Sequence, residues 1–388
     1  MIASTARLLM RSFSIRKYPT ADLNAHVSRL LLQGAPYFLS RTGYSYPPLS
    51  VFIHVNNKCN LKCKMCDAGQ MDQDSMFYKN LSASDKSNMP FDAFKRIVDQ
   101  FKPHRPFIGM PATEPLLYSH IIEAIAYVKS QGMRCSVATN GTMLDTMAEQ
   151  LVKAGLTKVV VSLDGPAPIH DRIRGVQGTY QKVLDGISSL HKYKIKYAQQ
   201  EPYIYVNYVI QEDNYGTITE MIDDLPLDAI SQIDFRVMFY CTEDIAKKHN
   251  LRFGDKYDAT SACLSGGINL KNVNTDIAYD QINFSTKQHP DKCKFFFNHG
   301  KKGLHKYYHE PEVFLDSTRC VMPWFTMQIN VDGNVIPPQR CYHNLFGNIL
   351  EQNFQDIWNG EKMRGFRMDL KRAGGRFPAC TRCEGVNF

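Results

Sequence analysis

Short apolar runs alternate with amphipathic stretches from about residue 51 to residue 240. The runs cover residues 51–55, 106–110, 133–138, 158–163, 203–210 and 230–239. Between them, residues 91–101 follow Pro90, a residue suited to the first turn of a helix. Residues 121–129, 143–154, 180–191 and 217–224 place apolar side chains at three- and four-residue steps, the helical period. Gly132 and Gly155 stand where a helix ends in a left-handed residue. Six strand-then-helix units predict an α/β chain with parallel strands and right-handed crossovers. Such units curl into a partial (β/α)6 TIM-like barrel, with functional groups gathered at the C-terminal ends of the strands.

The pattern breaks after residue 240. Residues 241–319 read as an irregular connecting region that contributes to substrate binding. Residues 320–388 read as a small, irregular, Cys-rich extension. Within it, residues 328–330 and 334–336 flank Asp332-Gly333, the signature of a tight hairpin. The expected division is therefore a basic arm or helix over 1–50, the barrel over 51–240, the connecting region over 241–319 and the extension over 320–388.

Eleven cysteines change the picture. An odd number, with C-x-x-C spacings and no secretory signal core, points to metal or cluster ligation rather than disulfides. Three of them, Cys59, Cys63 and Cys66, stand in a C-x3-C-x2-C loop directly after the first strand. Three thiolates on one loop can hold three irons of a [4Fe–4S] cube and leave the fourth open. A zinc knuckle needs a fourth ligand here, and His54 is poorly placed in the strand to supply it.

This loop resembles that of the radical S-adenosylmethionine (radical SAM) enzymes, and further motifs over residues 50–240 support the resemblance in chain order. Glu114-Pro115-Leu116-Leu117 after the second strand is similar to the family's Gly-Gly-Glu-Pro turn, with Ala112 and Thr113 at the glycine positions. Ala138-Thr139-Asn140-Gly141 ends the third strand. Ser162-Leu163-Asp164-Gly165-Pro166 and His170-Asp171-Arg172-Ile173-Arg174-Gly175 follow the fourth, resembling the branch with extra C-terminal clusters. The resemblance implies that a cluster on Cys59, Cys63 and Cys66 binds S-adenosyl-L-methionine and, when reduced, cleaves it to a 5′-deoxyadenosyl radical that abstracts a substrate hydrogen. It implies cosubstrate contacts from Met65, Thr113, Glu114, Asn140, Ser162, Asp164 and Arg174. Arg174 suits the methionine carboxylate, since guanidinium pairs with carboxylate through two parallel hydrogen bonds. The plainer reading of Arg174 and Asp171 is an ion pair at a helix end.

Cys320, Cys341, Cys380 and Cys383 close the chain, the last two as C-x2-C. Four sulfurs suit zinc or an iron–sulfur cluster alike. The arrangement resembles the SPASM/twitch extension, which implies one auxiliary [4Fe–4S] cluster. Such a cluster can take a second electron from a substrate radical, so the resemblance implies an oxidation. The expected substrate is a small sugar-like molecule or polyol, with a peptide or protein as the alternative. The expected electron donor is an external flavodoxin or ferredoxin. Tyr240 and Cys241, at the end of the sixth strand, are candidate groups for hydrogen or proton transfer. Cys135 is expected in the core.

With 388 residues, 44% hydrophobic and 22% charged, the composition is that of a globular chain and excludes a disordered or collagen-like one. No apolar run approaches the ~18 residues of a membrane helix, so no transmembrane segment is expected and the expected location is cytoplasmic. The net charge of +8 favours anionic partners without identifying one. Arg7, Arg11, Arg16 and Lys17 carry half of that excess; the stretch resembles a mitochondrial presequence, but a basic arm is preferred because the pattern runs on into Leu30–Leu32. Lys287, Lys292, Lys294, Lys301, Lys302 and Lys306, with His289, His299, His305 and His309, read as a solvated loop before a phosphate site. A zinc-stabilised nucleic-acid-binding module and a simple electron carrier leave the six-unit barrel unexplained, and no DNA partner is expected.

Overall fold

A computed structural model describes residues 34–111, 113–337, 342 and 344–383. Residues 1–33 of the expected basic arm, and Cys341, lie outside the described residues. Among these residues one mixed sheet organises the molecule. Strand β1 (Ser50–Ile53) is followed by helices α1 (Met76–Leu81) and α2 (Phe91–Phe101) and strand β2 (Phe107–Met110). Then come α3 (Ile121–Ser130), β3 (Cys135–Thr139), α4 (Leu144–Lys153), β4 (Lys158–Ser162), α5 (Ala167–Arg174), α6 (Thr179–Lys196), β5 (Tyr203–Ile210), α7 (Ile218–Asp223) and β6 (Gln232–Val237). Strands β1 to β6 run parallel in sequence order. This is the partial barrel that the alternating pattern predicts. Gly132 and Gly155 adopt φ of 71° and 78° at the helix ends.

The strands carry the sequence logic. β5 alternates half-exposed Tyr203, Tyr205, Asn207 and Val209 with buried Ile204, Val206, Tyr208 and Ile210. The buried set belongs to the core shared with the helices, including Phe94, Ile97 and Val98 of α2 and Leu144, Ala148 and Leu151 of α4. The half-exposed set lines the concave inner face, as period-two geometry requires.

Residues 241–319 differ from expectation. They hold α8 (Glu243–Phe253), α9 (Thr275–Gln288), β7 (Cys293–Phe295) and α10 (Gly300–His309), and β7 adds to the sheet parallel to β6. Asn274 caps α9 by accepting from the amides of Asp276 and Ile277, and Thr242 caps α8 through the amide of Ile245. The mixed polar surfaces of these helices hide their period. The Lys/His patch is likewise not a loop: it spans the end of α9, β7 and α10. Lys292 donates to the carbonyls of Leu227 and Ile230, and Lys301 pairs with Asp280 at 3.1 Å.

The extension is more regular than its sequence suggests. It contains α11 (Met322–Phe325), β8 (Thr326–Ile329), β9 (Asn334–Ile336), β10 (Gly347–Asn348), α12 (Phe354–Trp358) and α13 (Glu361–Arg372). The hairpin forms with β8 antiparallel to β9. β8 also pairs in parallel with β1, Ser50 opposite Thr326 and Ile53 opposite Ile329, so the extension continues the barrel sheet on its first edge. Among the described residues no helix is long and apolar enough to cross a membrane.

Candidate active site

The C-x3-C-x2-C loop leaves the C-terminal end of β1, and neighbouring strand ends hold it in shape. Lys62 and Lys64 donate backbone N–H bonds to the carbonyls of Arg174 (3.3 Å) and Ile173 (2.9 Å). The Lys64 ammonium pairs with Glu212 (2.9 Å) and Asp213 (2.8 Å) beyond β5. Two glycines permit this close approach: a Cβ on Gly175 would stand 2.8 Å from the Lys62 carbonyl oxygen, and one on Gly266 would stand 2.1 Å from that of Lys64.

Each loop sulfur meets a nitrogen donor. Asn140 Nδ2 lies 3.9 Å from Cys59 Sγ, Arg174 Nη1 3.6 Å from Cys63 Sγ, and the Gly69 amide 3.4 Å from Cys66 Sγ. Three sulfurs on one loop, each offered an N–H, form a donor set that fits an iron–sulfur cluster, whose negative charge such donors balance.

Arg174 sits at the centre of the electrostatics. It is buried, and its Nη2 lies 2.6 Å from Asp164 Oδ2. Burial works to lower its pKa, but Asp164 and Cys63 outweigh it and hold the guanidinium charged. Burial raises the Asp164 pKa against the pull of Arg174. The partner of Arg174 is therefore Asp164 and not Asp171. Asp171 instead accepts from the amides of Gly178 (2.6 Å) and Tyr180 (2.8 Å) and from the Thr179 hydroxyl (2.7 Å), fastening the start of α6.

Glu114 also serves the protein. Its fully buried carboxylate accepts from the Asn140 amide (2.7 Å), the Leu116 amide (2.9 Å) and the Thr139 hydroxyl (2.8 Å). It thereby ties the end of β3 to the turn after β2. Burial pushes its pKa up to about 7. Thr113 donates to Asn56 Oδ1 at 2.5 Å, and the Asn56 amide donates to the Glu114 carbonyl at 2.8 Å. The carboxylates of Glu114 and Asp164, expected at the cosubstrate, are thus engaged by protein groups. Met65 is half-buried on the loop, and Ser162 is half-exposed at the end of β4.

Sequence reasoning missed Asp67. Fully buried directly after Cys66, it accepts from Ser75 Oγ (2.7 Å), the Cys263 amide (2.9 Å) and Ser265 Oγ (2.8 Å). It knots the cluster loop to α1 and to the segment between α8 and α9. A single acid in a loop gives no sequence signal for that.

In the extension, Cys320, Cys380 and Cys383 are buried. Burial first, then the nearby charge of Cys380, pushes the Cys320 thiol up to about 12. A bound metal must displace such protons, which couples loading to folding. The Tyr342 hydroxyl lies 3.4 Å from Cys380 Sγ. Arg382, between Cys380 and Cys383, is fully buried and donates to the carbonyls of Tyr307 (2.6 Å) and Lys306 (3.1 Å), anchoring the C-x2-C turn to α10.

Tyr240 and Cys241, the candidates for hydrogen or proton transfer, lie in the interior beyond the end of β6. Tyr240 is fully buried, its hydroxyl donating to the Tyr307 carbonyl at 2.6 Å. Cys241 is fully buried with its thiol 3.7 Å from the Thr242 carbonyl, and burial, then the charge of Cys380, pushes it up to about 12. Tyr240 packs edge-on against Tyr307 of α10, and Cys241 bridges to Ala262. Cys135 is a core residue, as expected.

Comparison with known proteins agrees with this arrangement. Residues 53–225 match the radical SAM superfamily model, and residues 320–384 match the SPASM iron–sulfur cluster-binding domain. The Fe-coproporphyrin III synthase of Methanosarcina barkeri is 24% identical over 87% of this chain and 81% of its own length. A tungsten-containing aldehyde ferredoxin oxidoreductase cofactor-modifying protein from Pyrococcus furiosus is 24% identical over 86% of each chain. Among solved structures, Streptococcus suis SuiB bound to precursor peptide SuiA superposes with a TM-score of 0.60, at 15% identity over 95% of this chain and 77% of its own. The anSMEcpe structure with AdoMet and Cp18Cys peptide gives 0.58 at 18% identity, over 87% of this chain and 86% of its own. The chain belongs to the radical SAM superfamily and carries a C-terminal SPASM iron–sulfur domain.

Proposed function

We propose that this protein is a radical SAM enzyme that oxidatively modifies a small molecule of the cofactor-precursor kind. The observation that carries the reading is the donor set on the three loop sulfurs, with Arg174 bridging Cys63 and Asp164. When bound, the cluster and S-adenosyl-L-methionine would supply a hydrogen-abstracting radical, and an auxiliary cluster would supply a nearby one-electron redox centre.

The chain's own residues do the holding. Cys59, Cys63 and Cys66 would hold the first cluster. Asn140 and Arg174 orient two of the sulfurs. Arg174 keeps its charge at the site, and Ser162 offers a half-exposed hydroxyl for a polar group of the cosubstrate. Cys320, Cys380 and Cys383, with Cys341 from the sequence, would hold the auxiliary cluster. Reducing equivalents come from an external flavodoxin or ferredoxin.

A small molecule is preferred to a peptide because the sequence relatives that align over most of this chain are named for cofactor synthesis or modification, whereas the peptide-bound structures, at 15% and 18% identity, share the fold. The test is anaerobic reconstitution, reduction, and assay for 5′-deoxyadenosine. Wild type should form it and Cys59→Ala should not. Formation by Cys59→Ala refutes the assignment of the first cluster.

A further inference from the structure

The concave face of the barrel carries an ammonium that pairs with no carboxylate among the described residues. On β4, Lys158, Val160 and Ser162 are half-exposed and alternate with buried Val159 and Val161. Parallel register sets Lys158 beside Ser136 and Tyr203, Val160 beside Tyr205, and Ser162 beside Asn207, which in turn lies beside Asp234. These residues share the inner surface that runs down from the cluster loop.

Two cations occupy this surface. Lys158 Nζ sits between rings, 5.0 Å from the centroid of Tyr205 and 5.7 Å from that of Phe107. Arg236 Nη2 lies 3.4 Å from Asp234 Oδ2, and Asp234 Oδ1 accepts from Gln232 Nε2 at 2.6 Å. Both oxygens of that acid are therefore engaged. Among the described residues Lys158 makes neither an ion pair nor a side-chain hydrogen bond. Burial lowers its pKa; the charge of Asp234 opposes that shift and the charge of Arg236 adds to it. The two rings attract the ammonium through cation–π contacts and offset part of the cost of burying it, and an anionic ligand would offset the rest. On the same face Asn207 Oδ1 is buried without a hydrogen-bond partner.

We propose that the inner face of the barrel is a binding site for a small acidic substrate, whose carboxylate or phosphate is received by Lys158, with Arg236 and the Asn207 Oδ1 acceptor left for other polar groups of the same molecule. The assignment rests on the small-molecule reading above and gives it a chemical class. It also gives a length. Lys158 lies four residues below Ser162 on one strand, about 13 Å at 3.3 Å per residue. The acidic group is thus bound far from the reacting carbon, and binding energy there positions the substrate without touching the chemistry. A neutral polyol leaves Lys158 without an anionic partner, so the acid displaces the polyol as the preferred class.

The test is calorimetric titration of the reconstituted wild-type enzyme with three probes. Coproporphyrin III supplies carboxylates, GTP supplies phosphates, and myo-inositol supplies neutral hydroxyls. Binding of either acid, with no binding of inositol, supports the site, and the acid that binds names the source of charge. Lys158→Met should weaken that acid at least tenfold, while Lys158→Arg retains it. Without ligand, Lys158→Met should melt several degrees above wild type, because a buried charge with no carboxylate partner has been removed; a merely structural lysine would give a lower melting temperature. Binding of inositol alone, failure of both acids, or an unchanged affinity in Lys158→Met overturns the proposal. Wild-type formation of 5′-deoxyadenosine is measured in parallel. Its absence refutes the radical reading, whereas its presence without acid binding refutes only the acidic class.

Discussion

Ionisation of Glu114 should make the stability of this protein fall with pH, and the size of the fall can be worked from its surroundings. The carboxyl is fully buried. Burial raises its pKa from 4.5 to about 7, although the amides of Asn140 and Leu116, the Thr139 hydroxyl and Arg174 all pull downward. Below the unfolded value of 4.5 both states hold the proton and this group contributes no slope. Between there and the folded value the unfolded chain ionises first, so unfolding becomes easier by ~1.4 kcal/mol per pH unit. The contribution lost by the time the pH passes the folded value is roughly 3 kcal/mol. Glu114→Gln keeps the size and one acceptor but cannot ionise. It carries a penalty where its NH2 group meets N–H donors, and that penalty is independent of pH. Guanidinium denaturation of anaerobically purified wild type and Glu114→Gln, from pH 5 to pH 8, measures the difference. Wild type should lose roughly 2–3 kcal/mol relative to the variant across that range, since slopes from other groups cancel. Parallel stability curves would refute the reasoning, and a difference that grows in favour of wild type would mean that Arg174 and the three donors outweigh burial.

Four further outcomes are expected. Arg174→Met strands Asp164 in the interior and should destabilise the fold by about 3–5 kcal/mol in denaturant melts; a cost below 1 kcal/mol would show that the pair is dispensable. Asp67→Ala removes the acceptor of two hydroxyls and one amide, and should cost roughly 3 kcal/mol and lower iron content at the first cluster; full iron loading with wild-type stability contradicts the knot. Gly266→Ala drives a methyl into the Lys64 carbonyl and should release iron faster to a chelator, whereas an unchanged rate means the segment yields freely. Cys380→Ala should lose about one cluster's worth of iron yet still form 5′-deoxyadenosine, and loss of that product would tie the two sites together.

The sequence was legible where forces are local. The period of the apolar runs found β5 at its observed bounds, Tyr203–Ile210, and α2 as Phe91–Phe101. The Asp332-Gly333 turn found its hairpin, and Gly333 takes the left-handed φ of 86° that such a turn demands. Distant pairing was not legible. Nothing in residues 326–329 announces that β8 lies against β1, because parallel neighbours share no turn to fix their register. Residues 241–319 concealed three helices behind capping residues spread among polar surfaces. At the site, the cysteines showed themselves by spacing, but the acids did not. Glu114 and Asp164 lie in recognisable strings, yet only the fold shows that protein donors and a buried arginine occupy them. Lys158 had a readable signal, a charge at an inward position of a valine-rich strand, which gains meaning only once the rings of Phe107 and Tyr205 close around it.

The pairing of β8 with β1 sets an order on the birth of the molecule. The first strand leaves the ribosome long before β8, one of its two flanking partners. Until then its backbone offers an unprotected edge to any passing strand, and the loop that grips the first cluster hangs from a half-built wall. A chain cut short before Thr326 should therefore be a sticky fragment rather than a smaller enzyme. Iron delivered during synthesis meets a finished cradle only once β8 has arrived.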